Sequence, residues 1–176
     1  ATSCDPNWRP ALWDDHDQGR AAMLEAVVHA DILKISDADL EFLAPDHGDD
    51  YAGALDAIGF KGQLAAVTLG RNGAWYTANG QTGTVPSPHV QVVETTGAGD
   101  AFTAALLDCL LVHDMRIDAI ADDVMKRIML RACAAGALTA TGYGAIPSLP
   151  DEENIASLMR MMQIVPGNGP DRAYCR

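Results

Sequence analysis

The sequence predicts an α/β fold: a mostly parallel sheet with helices on both faces and a small β meander. Three observations predict it. Two short, mostly apolar runs, residues 32–35 and 64–69, are separated by helical stretches, the pattern of βα units with buried strands. Two turn signals, Asn72-Gly73 and Asn79-Gly80, then divide a series of short strand-like segments. Finally, a glycine turn at Gly97-Ala98-Gly99 joins the alternating run Val90, Val92, Val93 to a helix-forming run that includes Ala104, Ala105, Leu106 and Leu107.

In chain order, residues 1–4 read as a strand end stopped by Pro6. Asp5 and Asn7 then lie either at the carboxyl edge of a sheet, where open α/β sheets bind ligands, or in a plain turn. Residues 15–29 carry the imperfect apolar stripe Ala22, Leu24, Ala26, Val27 and read as an amphipathic helix. After strand 32–35, Ser36 is a helix N-cap with Asp39 three residues on, and the helix runs through Leu43. Residues 46–50 form an acidic loop, and a helix follows to about Gly59. Strand 64–69 leads through Arg71-Asn72-Gly73 to a return strand at 74–77. Further short strands are expected at 81–85 and 91–93. Helix 99–112 has Ala101, Ala104 and Ala105 for close packing, and 114–123 is polar. A long helix follows from about 122 to 141, with Ala132, Cys133, Ala135, Gly136 and Thr139 on one side almost free of bulk. Residues 141–148 form an irregular loop. A last helix runs from Pro150 to about 165, and residues 166–176 are expected to be a flexible tail.

Composition narrows the function. At 176 residues and 48% apolar, the chain can form one domain with a sizeable core. Its 24 acidic and 12 basic residues give a net charge of −12, which argues against a nucleic-acid surface. Phosphate binding through backbone amides remains open to an acidic protein. No apolar run reaches the length of a membrane span, and the start shows no signal-peptide pattern. Cys4, Cys109, Cys133 and Cys175 lie far apart without CxxC spacing. They read as reduced thiols of a cytoplasmic protein, with Cys109 and Cys133 as core residues.

The glycine turn carries the chemistry. Gly97 and Gly99 allow positive φ and close approach of a ligand. The unpaired N–H groups of a first helical turn attract anions. Asp100 then has two readings. It is an N-cap with the glycines merely shaping the turn, or it is the base of a phosphoryl-transfer site whose amides, at Gly97, Ala98 and Gly99, hold the transferring phosphate. A dinucleotide fingerprint would need glycine where Phe102 stands, and no Gly-Lys-Ser/Thr run makes a Walker-type loop.

The run Thr95-Thr96-Gly97-Ala98-Gly99-Asp100-Ala101-Phe102 resembles the signature of the ribokinase/PfkB family of sugar and nucleoside kinases. Other stretches resemble the family in its own order: Asp5-Pro6-Asn7-Trp8-Arg9 with Leu12-Trp13; Asp31-Ile32-Leu33-Lys34-Ile35-Ser36 with Glu41-Phe42-Leu43; Val67-Thr68-Leu69-Gly70 with Gly73-Ala74-Trp75; and Gly144-Ala145-Ile146-Pro147. The resemblance implies a ribokinase-like three-layer sandwich. It implies an ATP- and Mg²⁺-dependent sugar kinase, fructokinase-like from the Asp5 segment, with Asp100 as general base. Lys34, Ser36, Thr68, Gly70, Gly73, Cys133 and Gly136 would lie at the nucleotide. Ser36 and Asp39 would organise Mg²⁺ and phosphate, Asp39 through water. Glu94, Thr96, Thr139, Gly142, Gly144 and Ser148 would hold a monovalent cation such as K⁺. The family usually has Glu where Asp39 stands, Asn or His at Cys133, and Asp at Glu94. The family's sugar contacts, Gly-Gly motif and β lid lie in an N-terminal half with no counterpart here. Residues 1–165 therefore read as the ATP-binding half, which would pair with that missing half or form a homodimer. An inactive nucleotide-binding or assembly module, and a nucleoside or keto-deoxy-sugar kinase, are the alternatives.

Overall fold

The structure is a computed structural model that describes residues 1–162 and Cys175. Five strands line up in the order β1-β2-β3-β4-β5: β1 Ser3–Cys4, β2 Ile32–Ser36, β3 Leu64–Thr68, β4 Ala74–Ala78 and β5 Gln81–Val85. The first three are parallel, with Ser3 opposite Ile32 and Ile32 opposite Leu64. The helices are α1 His16–Val28, α2 Asp37–Leu43, α3 Tyr51–Ala57, α4 Ala98–Val112, α5 Asp122–Thr139 and α6 Glu152–Met161. None among the described residues is long and apolar enough to cross a membrane. The α/β expectation holds, and most predicted boundaries fall within two residues of those observed. The expected flexible tail, and the predicted end of the last helix near 165, lie outside the described residues apart from Cys175.

The chain forms two compact units: Ala1–Leu69 with Trp75–Thr82, and Gly70–Ala74 with Gly83–Arg176. In the first, β2 and β3 are buried on both faces up to their last residue, which explains why they read as mostly apolar runs, with Lys34 the one charged residue among them. Helix α2 packs on both strands and against α1 and α3. Leu33, Ile35, Leu40, Leu43, Leu55 and Val67 form the centre of the core. Each helix start has the cap its sequence announces. The Asp15 carboxylate takes the Asp17 and Gln18 amides, the Ser36 hydroxyl takes the Asp39 amide, and Asp50 takes the Gly53 amide. Trp8 stacks on Phe42 with centroids 4.2 Å apart and meets His16 edge-on. Asn79 and Gly80 both have positive φ, 53° and 73°, as a two-residue hairpin turn requires.

In the second unit, α5 packs against α4 and α6. Arg131, 3% exposed, ties all three together: it donates to the Ala105 carbonyl at 2.8 Å and to the carboxylates of Asp108 at 3.0 Å and Glu152 at 2.6 Å. Two sequence expectations fail here. Residues 91–93 are not a strand. The Val93 amide donates to the Ala140 carbonyl at the end of α5 (2.8 Å), and Val92 and Val93 are 56% and 42% exposed. Their alternation resembles a half-buried strand, but their backbone is satisfied by a helix end instead of a ladder. Nor are all four cysteines reduced. Cys109 on α4 and Cys175 form a disulfide, while Cys4 and Cys133 are free. The bridge spans 66 residues, so spacing gave no sign of it. His113 Nε2 donates to the Cys175 carbonyl beside it.

A thiol titration of the unfolded, unreduced protein should find only Cys4 and Cys133; four reactive thiols would contradict the bridge. Closing a loop of this length is worth up to about 4 kcal/mol through the entropy of the unfolded chain. Cys175→Ser should lower the urea midpoint accordingly, and an unchanged midpoint would show that the bridge contributes nothing.

Candidate active site

The glycine turn lies in the second unit. Gly97 is the N-cap of α4 and has φ +82°. A Cβ added there would stand 2.8 Å from the Cβ of Ala145 in the 141–148 loop, so both conformation and space call for glycine. Its carbonyl accepts the Ala101 amide at 2.9 Å. Asp100 is therefore not the N-cap; it is the third residue inside the helix. It is exposed, and its carboxylate accepts no hydrogen bond among the described residues.

The amides are not equivalent. Ala98 N–H already donates to the Thr95 carbonyl at 3.1 Å. Of the amides from Gly97 to Asp100, those of Gly97, Gly99 and Asp100 itself have no acceptor among the described residues. An anion at this end of α4 would meet those donors, the positive end of a 15-residue helix, and one carboxylate.

Glu94 precedes the turn. One carboxylate oxygen accepts the Thr96 hydroxyl at 2.5 Å and the other the Gly144 amide at 2.9 Å. The Thr96 bond, and then the Gly144 bond, hold this carboxyl below the ordinary carboxylate range. The other residues offered to a monovalent cation also spend their hydroxyls within the protein. Thr139, fully buried, donates to the Ala135 carbonyl at 2.9 Å, and Ser148 donates to the Tyr143 carbonyl at 3.0 Å. Ser148 also crowds Gly142, where an added Cβ would lie 2.4 Å from its Oγ.

The small face of α5 has a packing role. A Cβ at Gly136 would come within 2.9 Å of the Ala98 carbonyl, so this glycine admits the start of α4. Cys133 is 5% exposed, and burial pushes its thiol up to about 12. It is a neutral core thiol with little surface to offer a purine. Gly70 stands in open space at φ +54°, whereas Gly73, at φ +97°, would drive a Cβ to 1.9 Å from the Val85 carbonyl.

The first unit holds the other candidates. Lys34, 6% exposed, puts Nζ 3.0 Å from Asp5 Oδ2, and Asp5 Oδ1 is buried with no partner among the described residues. Asp5 thus serves a buried ion pair at the β1 edge and is more than turn chemistry. Ser36 and Asp39 form the cap, with Asp39 N–H donating to Ser36 Oγ at 3.0 Å. The Thr68 hydroxyl reaches the Ile35 carbonyl at 3.5 Å. A pocket of about 300 Å³ beside α2, lined by Asp37, Glu41, His47, Asp49 and Tyr51 among others, includes none of these residues. Sequence reading took its acidic rim as a solvated loop. Among the described residues no three His, Cys, Asp or Glu side chains gather as a metal cage.

The model of the pfkB family carbohydrate kinases matches residues 1–152. The chain is 39% identical over 159 residues to a probable fructokinase-4 of Arabidopsis thaliana, covering 90% of this chain and 48% of that protein. It resembles a fructokinase with bound ATP from Xylella fastidiosa at TM-score 0.81 and 26% identity, over 92% of this chain and 52% of that one. A fructokinase from Vibrio cholerae O395, in fructose-, ADP- and calcium-bound form, gives 0.76 and 32%, over 89% and 49%. The chain therefore has the ribokinase-like architecture and spans about half the length of the curated relatives it matches.

Gly97→Ala should test the turn. The positive φ and the Ala145 contact together should cost about 1–3 kcal/mol, read as a lower urea midpoint at unchanged slope. A midpoint equal to wild type would show that the turn is not held as described.

Proposed function

The chain belongs to the pfkB family of carbohydrate kinases, and from that premise we propose that it is the nucleotide-side half of an ATP-dependent sugar kinase of fructokinase type. One observation carries the reading. Among the described residues, the amides of Gly97, Gly99 and Asp100 at the start of α4 have no acceptor, and the exposed Asp100 carboxylate has no donor. Relatives whose names include ATP, ADP and fructose support the choice of nucleotide and sugar.

In this proposal the three amides stabilise charge on the phosphoryl group as it leaves ADP. The Asp100 carboxylate accepts the proton of the sugar hydroxyl while the new oxygen–phosphorus bond forms and the bond to ADP breaks. Exposure suits a carboxylate that must stay ionised until substrate covers it. Magnesium supplies charge neutralisation between the phosphates. It would fit here as an ion carried chiefly by the nucleotide, because among the described residues no three His, Cys, Asp or Glu side chains gather to hold one. Lys34, Ser36, Asp39, Thr68, Gly70 and Gly73 belong to the proposal as the nucleotide side. Cys133 and Gly136 on α5 belong to the proposal as residues at the nucleotide, Gly136 also admitting the start of α4 at the Ala98 carbonyl. A monovalent cation would draw on oxygens, mostly backbone, of Thr96, Thr139, Gly142, Gly144 and Ser148, with Glu94 beside them already accepting from Thr96 and Gly144. The sugar pocket would be completed by sequence corresponding to the remaining half of the relatives' length.

A coupled ADP-release assay, on the protein encoded by the complete reading frame, with fructose, ribose and nucleosides, tests the reading. Fructose-dependent ADP release is expected. ATP binding without turnover on any acceptor would favour the inactive-module alternative. In the same protein, Asp100→Asn should still bind ATP while turnover falls about 10²–10⁴-fold. Near-normal turnover would remove Asp100 from the role of base.

A further inference from the structure

Glu94 stands three residues before the turn and is bonded in two directions. Thr96 Oγ1 donates to Oε1 at 2.5 Å and Gly144 N–H donates to Oε2 at 2.9 Å, a contact across 50 residues. Its own amide and that of Val93 both donate to the Ala140 carbonyl, at 3.3 and 2.8 Å. The residue after Gly144 is Ala145, the one that presses on Gly97. The loop's other bonds do not reach the turn: Thr141 N–H and Oγ1 donate to the Leu138 carbonyl and Gly142 N–H to the Thr139 carbonyl at the end of α5, while Ser148 Oγ bonds the Tyr143 carbonyl and Ser148 N–H the Ala145 carbonyl within the loop.

We propose that Glu94 is a positioning residue: its carboxylate fastens the 141–148 loop to the glycine turn and so keeps the amides of Gly97, Gly99 and Asp100 in place for phosphate. The phosphate role rests on the kinase reading above; the brace itself does not. Bonds to an ionised acceptor are stronger than neutral ones, so one side chain can hold a loop that has neither helix nor strand to fix it beyond a short 3₁₀ turn. Using both oxygens on donors also offsets a negative charge that would otherwise repel an incoming phosphate. Because the Ala140 backbone bonds do not involve the side chain, replacing it should loosen the loop without unfolding the unit.

The test compares the 176-residue chain with Glu94→Gln and Glu94→Ala. Amide hydrogen exchange is followed at Gly144, and MgATP affinity is measured by calorimetry. In Glu94→Ala, exchange at Gly144 should rise about tenfold or more and ATP affinity fall about tenfold, the order expected for losing a charge-assisted bond. Glu94→Gln keeps an acceptor oxygen and the side-chain length, so it should lie between wild type and alanine in both measurements. Unchanged exchange at Gly144 in both variants would overturn the brace. Faster exchange with unchanged ATP affinity would overturn the positioning role. Wild-type chain that binds no ATP would overturn the kinase reading and this role with it, while the exchange data would still report the brace separately.

Discussion

Close packing at the start of α4 is the constraint on which the second unit depends. Gly136 lets α5 come within touching distance of the Ala98 carbonyl, and Gly97 lets the 141–148 loop press on the turn from Ala145. With both contacts made, the chain enters the helix in a left-handed conformation and Gly97 becomes the cap. A residue with a side-chain oxygen at that position would satisfy one of the helix's first amides itself. Glycine has none to offer, so amides that capping normally consumes stay available. The feature that would be a small defect in a structural helix is the feature a phosphate site needs.

The two units solve the problem of polar groups in different ways. The first caps its helix starts with side chains: Asp15, Ser36 and Asp50 each take amides from the turn that follows. The second caps α6 with Asp151, holds α4 to α6 through the buried Arg131, and leaves the starts of α4 and α5 without a side-chain cap among the described residues. The buried Lys34–Asp5 pair is the corresponding polar investment of the first unit. The Lys34 side chain is 7% exposed and that of Asp5 21%, and the contact at 3.0 Å offsets the cost of taking the ammonium out of water.

Local chemistry was legible in the sequence, and long-range pairing was not. Ser36 as a cap, Asn79-Gly80 as a turn, and the buried strands around Leu33 and Val67 follow from residues adjacent in the chain. So does the bend at Gly97, and of the two readings left open for Asp100 the N-cap one falls, because that residue stands three positions inside the helix. The bond from Glu94 to Gly144, the disulfide from Cys109 to Cys175, and the place of Gly136 against Ala98 each join residues 38 or more positions apart, and no periodicity announces them. Residues 91–93 show the converse error. Their alternation is real, but the acceptor they found was Ala140 at a helix end. Ala98 lost its place among the free donors for an equally local reason that sequence does not display, since only the turn's geometry brings its amide to the Thr95 carbonyl.

The central claim is that the free amides at the start of α4 receive the phosphate. Titrating MgATP into isotopically labelled chain, while following backbone amide resonances, tests it directly. The account predicts that Gly97, Gly99 and Asp100 show the largest saturable shifts within the second unit, with Ala98 moving less because its proton is already bonded. Saturable binding that leaves those three resonances unmoved would contradict it.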